Sequence, residues 1–197
     1  MLIENGILKA YDGDMKNVVI PDGVRVIAGC LEMDEMKLPF ISRKEIETVT
    51  MSDSVIEIGA KAFEHCKNLR SVQFSKNLQK IHVNAFLGCK KLKSLTLPAS
   101  LTCIEWGGLS SIEIDEFIYE GTIWQLEKVD ITDVNIKKII CKDCTINFEQ
   151  KPFYIEEVVY DGTVAQLQEK YKDNWILRRT RIIHCKDGTF SSDKIKK

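Results

Sequence analysis

Along most of the chain, apolar residues recur in one short pattern: an apolar position, two others, a second apolar position, one other, and a third. It reads Leu69-x-x-Val72-x-Phe74 and Leu92-x-x-Leu95-x-Leu97, with upstream copies at Ile46-x-x-Val49-x-Met51 and Met15-x-x-Val18-x-Ile20. Downstream it continues as Ile114-x-x-Phe117-x-Tyr119, Ile136-x-x-Ile139-x-Cys141 and Ile155-x-x-Val158-x-Tyr160, and it closes in a weaker form at Thr180-x-x-Ile183-x-Cys185. From Ile46 onward the starts recur at an interval of about 22–23 residues. The step into Ile155 is shorter and the step out of it longer. The last two apolar positions of each copy have period 2, as a strand with one buried face requires. A near-constant interval of this length predicts a solenoid with one such strand per coil.

In the middle of the chain the repetition is fuller. Ala62-Phe63, Cys66 and Leu69 return one interval later as Ala85-Phe86, Cys89 and Leu92. The step from Met15 to Ile46 is longer than the rest, which places an insertion near residues 31–43, where Met33-x-x-Met36-x-Leu38 offers a competing register. One coil of this length carries about five large inward side chains, each worth roughly 1.5–3 kcal/mol when buried. Ordering its backbone costs on the order of 1–2 kcal/mol per residue, so a lone coil does not hold and neighbours on both sides must supply the rest.

The stretches "IEIGAKAFEHCKNLRSVQF" and "LQKIHVNAFLGCKKLKSLTLP" resemble the BspA-like class of bacterial leucine-rich repeats, in which Ile-Gly precedes Ala-Phe, a Cys and a strand. Asn17 to Val24 is similar to a first coil of that family. Ile118-Tyr-Glu-Gly-Thr122-x-x-Gln125 and Val159-Tyr-Asp-Gly-Thr163-x-x-Gln166 resemble its variant coil, with Leu126 and Leu167 where a Trp is usual. Ile183 to Thr189 is similar to the ending of that variant. The resemblance implies an α/β leucine-rich-repeat solenoid over residues 1–190. Its parallel ladder would hold about seven to eight coils, each of roughly 22–23 residues. Variant, helix-containing coils would start near residue 116, with short helices on the back, and a polar tail would occupy 191–197. It also implies a non-catalytic module for binding proteins, linked to adhesion, and a cell-envelope setting.

The variant coils carry local chemistry of their own. Thr122 with Gln125, and Thr163 with Gln166, form capping boxes that predict helices over 123–128 and 164–171. Gly121 and Gly162 allow a sharp turn out of the preceding strand.

Charge and composition exclude more than they suggest. A net charge of −1 gives no footprint for nucleic acid, and no apolar run approaches the roughly 20 residues of a membrane span. The first residues lack the basic and apolar regions of a secretory signal, so a cytoplasmic location is expected, with a surface or secreted one if a signal has been removed. Seven cysteines, an odd number, weakly favour a reducing compartment.

Cys66 and Cys89, one coil apart, read as small apolar core side chains. Cys141-Lys-Asp-Cys144 has the spacing of a redox or metal-binding pair, but it follows a strand, so a structural turn is expected. A thiol-based redox or metal-binding protein using Cys141 and Cys144 is the alternative function. His65, His82 and His184 share no spacing and read as solvated. No catalytic constellation, cofactor site or metal site is nominated.

The outward strand positions remain as the candidate site. Alternation places Asn17, Thr48, Ser71, Ser94, Glu116, Lys138 and Glu157 in one column, and Val19, Thr50, Gln73, Thr96, Ile118, Ile140, Val159 and His184 in the next. Ser71, Gln73, Ser94 and Thr96 make a short polar middle; Ile118, Ile140 and Val159 would make an apolar patch on adjacent strands. Such a concave face is expected to take a protein partner or a second copy of the chain.

Overall fold

The computed structural model describes residues 1–29, 39–126, 129, 135–148, 155–171 and 180–191. The chain starts with a hairpin, β1 (Leu2–Glu4) and β2 (Ile7–Ala10), around Asn5-Gly6, both at positive φ (51° and 77°). Coiling follows. Each of four turns contributes an outer and a short inner strand: β3 (Asn17–Ile20) with β4 (Val26–Ile27), β5 (Thr48–Met51) with β6 (Glu57–Ile58), β7 (Ser71–Gln73) with β8 (Lys80–Ile81), and β9 (Ser94–Leu97) with β10 (Cys103–Ile104). Next come β11 (Glu113–Ile114), β12 (Glu116–Tyr119), helix α1 (Ile123–Leu126), β13 (Asn135–Ile136) and β14 (Lys138–Cys141). The described chain ends with β15 (Cys144–Phe148), β16 (Ile155–Tyr160), helix α2 (Val164–Tyr171), β17 (Thr180–Cys185) and β18 (Gly188–Ser191).

Inner strands β2, β4, β6, β8 and β10 form one parallel ladder, closed at its start by β1 running antiparallel. Outer strands pair in two groups, β3-β5-β7 and β9-β12-β14, each parallel and in register. At the boundary between these groups the turns are joined by the inner pair β8–β10 and by bonds such as Phe86 N to Gly108 O, 2.9 Å. The result is a β-solenoid of about six turns, and α1 and α2 are its few helices among the described residues. Two short helices do not make the expected α/β class, and six turns replace the expected seven to eight.

The difference in turn number has a definite cause. The pattern at Ile155 predicts a coil stacked directly on β14, yet β15 lies between them. Lys142 and Asp143 form a two-residue turn, β15 runs back antiparallel to β14, and β16 pairs antiparallel to β15. Parallel pairing resumes between β16 and β17, and a second turn at Lys186–Asp187 brings β18 back antiparallel.

The interior is a column of repeated side chains. Val18, Val49, Val72, Leu95, Phe117 and Ile139 share one level and are all buried. Phe40, Phe63 and Phe86, fully buried, stack face to face with centroids 5.0 and 5.2 Å apart and planes within 10°. Leu109 takes the place of a fourth ring. Phe40 stands one repeat before Phe63, so the irregular stretch ends before Pro39; Met33, Met36 and Leu38 lie outside the described residues. Each cysteine thiol beside this stack donates to the phenylalanine carbonyl one turn earlier, Cys66 Sγ to Phe40 O (3.0 Å) and Cys89 Sγ to Phe63 O (3.2 Å). They are inter-turn ties as well as apolar fill.

The back of each turn is tight enough to need left-handed backbone at two places. Ser42, His65, Gly88 and Ser111 recur once per turn with φ of 55° to 74°, and Lys61, Asn84 and Gly107 do the same with 57° to 72°. Both predicted capping boxes form. Thr122 N donates to Gln125 Oε1 and Thr163 N to Gln166 Oε1, each at 2.9 Å. Helix α1 is described to Leu126, and residues 127 and 128 of the expected helix lie outside the described residues. Gly121 serves by its size, since a Cβ there would meet Tyr119 Cε1 at 2.6 Å and the capping Gln125 oxygen at 2.9 Å. Ser191 closes β18; the tail beyond it, 192–197, is likewise outside the described residues.

Candidate functional site

The outer strands hold their middle and last apolar residues inward, so the residues between them project outward. Register fixes two columns: Asn17, Thr48 and Ser71 beside Val19, Thr50 and Gln73, then Ser94 and Glu116 beside Thr96, Ile118 and Ile140. Ser71, Gln73, Ser94 and Thr96 are exposed, and Ile118 and Ile140 are half-buried against one another across β12 and β14. Ser71 and Gln73 belong to the first group of outer strands and the other candidates to the second.

The expected three-strand apolar patch is not contiguous. Ile140 is opposite Thr145 on β15, and Thr145 is opposite Val159 on β16. Val159 is exposed and separated from Ile140 by that polar residue. The outward column through Glu116, Lys138 and Glu157 is interrupted at the same place. Lys138 Nζ reaches Glu116 Oε1 at 3.3 Å, but Asn147 aligns between Lys138 and Glu157. Glu157 instead takes His184 Nε2 at 2.7 Å, while His184 Nδ1 and Thr189 Oγ1 lie 2.8 Å apart.

His82 is not the solvated residue its sequence context suggests. It is one-quarter exposed and bridges three turns, with Nε2 3.1 Å from Glu57 Oε2 and Nδ1 3.2 Å from Glu105 Oε2. Lys80 reaches the other Glu105 oxygen at 2.6 Å, and this bond chiefly holds the Glu105 carboxyl below the usual carboxylate range. His65 is exposed, as expected.

Cys141 and Cys144 flank the β14–β15 turn, both buried, and so form the structural turn expected of them. The Cys144 thiol is pushed up by its hydrogen bond with Cys141 and then by burial. Burial likewise raises Cys66, to about 12, and Cys89. A redox or nucleophilic cysteine needs the opposite shift, toward thiolate at neutral pH. Among the described residues no group of three His, Cys, Asp or Glu side chains is placed to hold a metal ion, and no helix is long and apolar enough to cross a membrane.

The repeat profile described as a BspA type leucine-rich repeat region matches residues 35–159 in six copies. No curated protein matches this chain. Among solved structures, a leucine-rich cell surface protein from Faecalibacterium prausnitzii is 25% identical with a TM-score of 0.51, over 69% of this chain and 35% of that one. A leucine-rich repeat protein from T. pallidum is 22% identical with a TM-score of 0.46, over 68% of this chain and 56% of its own. One from Bacteroides capillosus is 29% identical with a TM-score of 0.42, over 55% of this chain and 86% of its own. The chain thus spans about one third and just over half the length of the first two. Proteins of this repeat class are in general modules for protein interaction. With the profile covering more than half of its length, this chain belongs to the BspA-type leucine-rich repeat family.

Proposed function

We propose that residues 1–190 act as one non-catalytic binding module whose outer strand face docks a protein partner. One observation carries this reading: four uncharged, exposed side chains, Ser71 and Gln73 on β7 and Ser94 and Thr96 on β9, face outward on successive turns, and Thr96 is in register with the half-buried pair Ile118 and Ile140. Hydroxyl and amide groups offer hydrogen bonds there without a charge to desolvate, and the isoleucines add an apolar anchor beside them. Val159 extends the face as a separate contact beyond Thr145. A second copy of the chain is an alternative occupant of the same face. A cell-surface setting is in keeping with the description of the Faecalibacterium prausnitzii protein.

The test replaces Ile140 with Asp, a charge at the anchor that leaves the buried strand residues in place. Affinity capture from the source cell is run with both forms as bait, and light scattering measures their size. Proteins held by the wild type and lost with Ile140→Asp support docking on this face. Identical retention and identical size would remove it.

A further inference from the structure

In the turns that lead into the outer strands, the repeat builds a second feature. Lys44, Lys67 and Lys90 recur once per turn, all exposed, and line one side of a groove of about 510 Å³. Ser42, His65, Gly88 and Ser111, the left-handed turn residues, line the other, and Leu87 contributes its half-buried side chain. Gly88 lacks a side chain where one would strike the His65 ring at 2.6 Å, which keeps the groove open between them. None of the three lysines has an ion-pair partner among the described residues, although Lys16, Arg70, Lys76, Lys80 and Lys93 all do. At the next position of the series stands Glu113, held by Lys93 at 2.8 Å, so the cationic row has a defined end.

Like charges at the spacing of stacked strands, about 4.8 Å, repel one another and are relieved by an anion. We infer that this groove binds an acidic polypeptide segment in extended form. Alternate side chains of an extended chain lie about 6.8 Å apart, so a Glu-x-Glu sequence sets two carboxylates over three ammonium groups. The Ser42 and Ser111 hydroxyls can take the segment's backbone groups, and Leu87 its apolar stems. A phosphate or sulfate polymer has no use for the half-buried Leu87 side chain. This surface is separate from the strand face, and binding here does not depend on Ile140.

Fluorescence anisotropy with a labelled hexaglutamate peptide tests it, at low and at physiological salt. The expected result is binding that weakens with salt, falls at least about tenfold in Lys67→Glu, survives in Lys67→Arg and is unchanged in Ile140→Asp. Circular dichroism checks that Lys67→Glu is folded, and Lys90→Glu repeats the measurement if it is not. Absence of binding, or binding indifferent to both charge reversals, overturns the proposal. Equal or tighter binding of a heparin hexasaccharide or of single-stranded DNA, competing with the peptide, overturns the assignment to polypeptide.

Discussion

Replacing Phe63 by alanine strikes the solenoid at its most repeated contact. Phe63 is fully buried, with Phe40 stacked on one face at 5.0 Å and Phe86 on the other at 5.2 Å. Truncating a buried phenylalanine costs about 3–5 kcal/mol through lost transfer energy and the cavity left behind. The two ring pairs account for roughly 0.5–1.5 kcal/mol each, so Phe63→Leu, which keeps most of the volume, isolates a loss of about 1–3 kcal/mol. Because stability in a repeat array is the sum of turn and interface terms, alanine here weakens two interfaces at once. Urea unfolding followed by far-UV circular dichroism gives the midpoint and slope for both variants. A cycle with Phe86→Ala then measures the coupling between neighbouring rings, expected at about 0.5–1.5 kcal/mol. Phe86 also keeps an edge contact to Phe74, at 5.8 Å, which should survive the first substitution. A cost below about 1.5 kcal/mol for Phe63→Ala, or strict additivity with Phe86→Ala, would refute stacking as the tie between turns.

Two further outcomes follow from geometry and ionisation. Gly88→Ala should lower stability by about 1–3 kcal/mol in urea unfolding, because φ is 74° and the new methyl meets His65; adding His65→Gly should recover part of this, and no recovery would show that the contact is immaterial. The Cys66 thiol, raised by burial from 9.0 to about 12, stays protonated in the folded chain while the unfolded chain ionises. Its contribution is therefore intact below about pH 9 and is lost as pH rises toward 12, at about 1.4 kcal/mol per pH unit. The urea midpoint of wild type should fall more steeply above about pH 9 than that of Cys66→Ala; parallel curves would contradict it.

The parallel turns were legible because one apolar pattern repeats with the stacking interval of the coil. Phe40 is less legible, although it sits one interval before Phe63, because its neighbour is Pro39 where the other turns have Ala62 and Ala85. The inner ladder was visible only as an isoleucine before each turn, Ile58, Ile81 and Ile104, and two-residue strands leave no alternation to detect. Strand β15 hid for a different reason. Its alternation, Cys144, Ile146 and Phe148, is as clear as that of the outer strands, but Lys142-Asp143 lacks the glycine that marks a two-residue turn. Ile155 taken as the next coil puts Val159 beside Ile140, where the structure has Thr145. Inter-turn polar contacts such as Glu57, His82 and Glu105 follow from register once the inner ladder is known, and not before.

The reversal at β15 bears on how such a chain avoids assembling wrongly. Near-identical steps invite a shifted alignment, in which one turn settles against its second neighbour and nearly every buried contact is still satisfied. Among the described residues the other reversed strands, β1 and β18, lie at sheet edges, so a displaced arrangement would leave Ile146 and the bonding edges of interior β15 without a mate. One odd tooth in the comb is enough to give the whole series a single correct count.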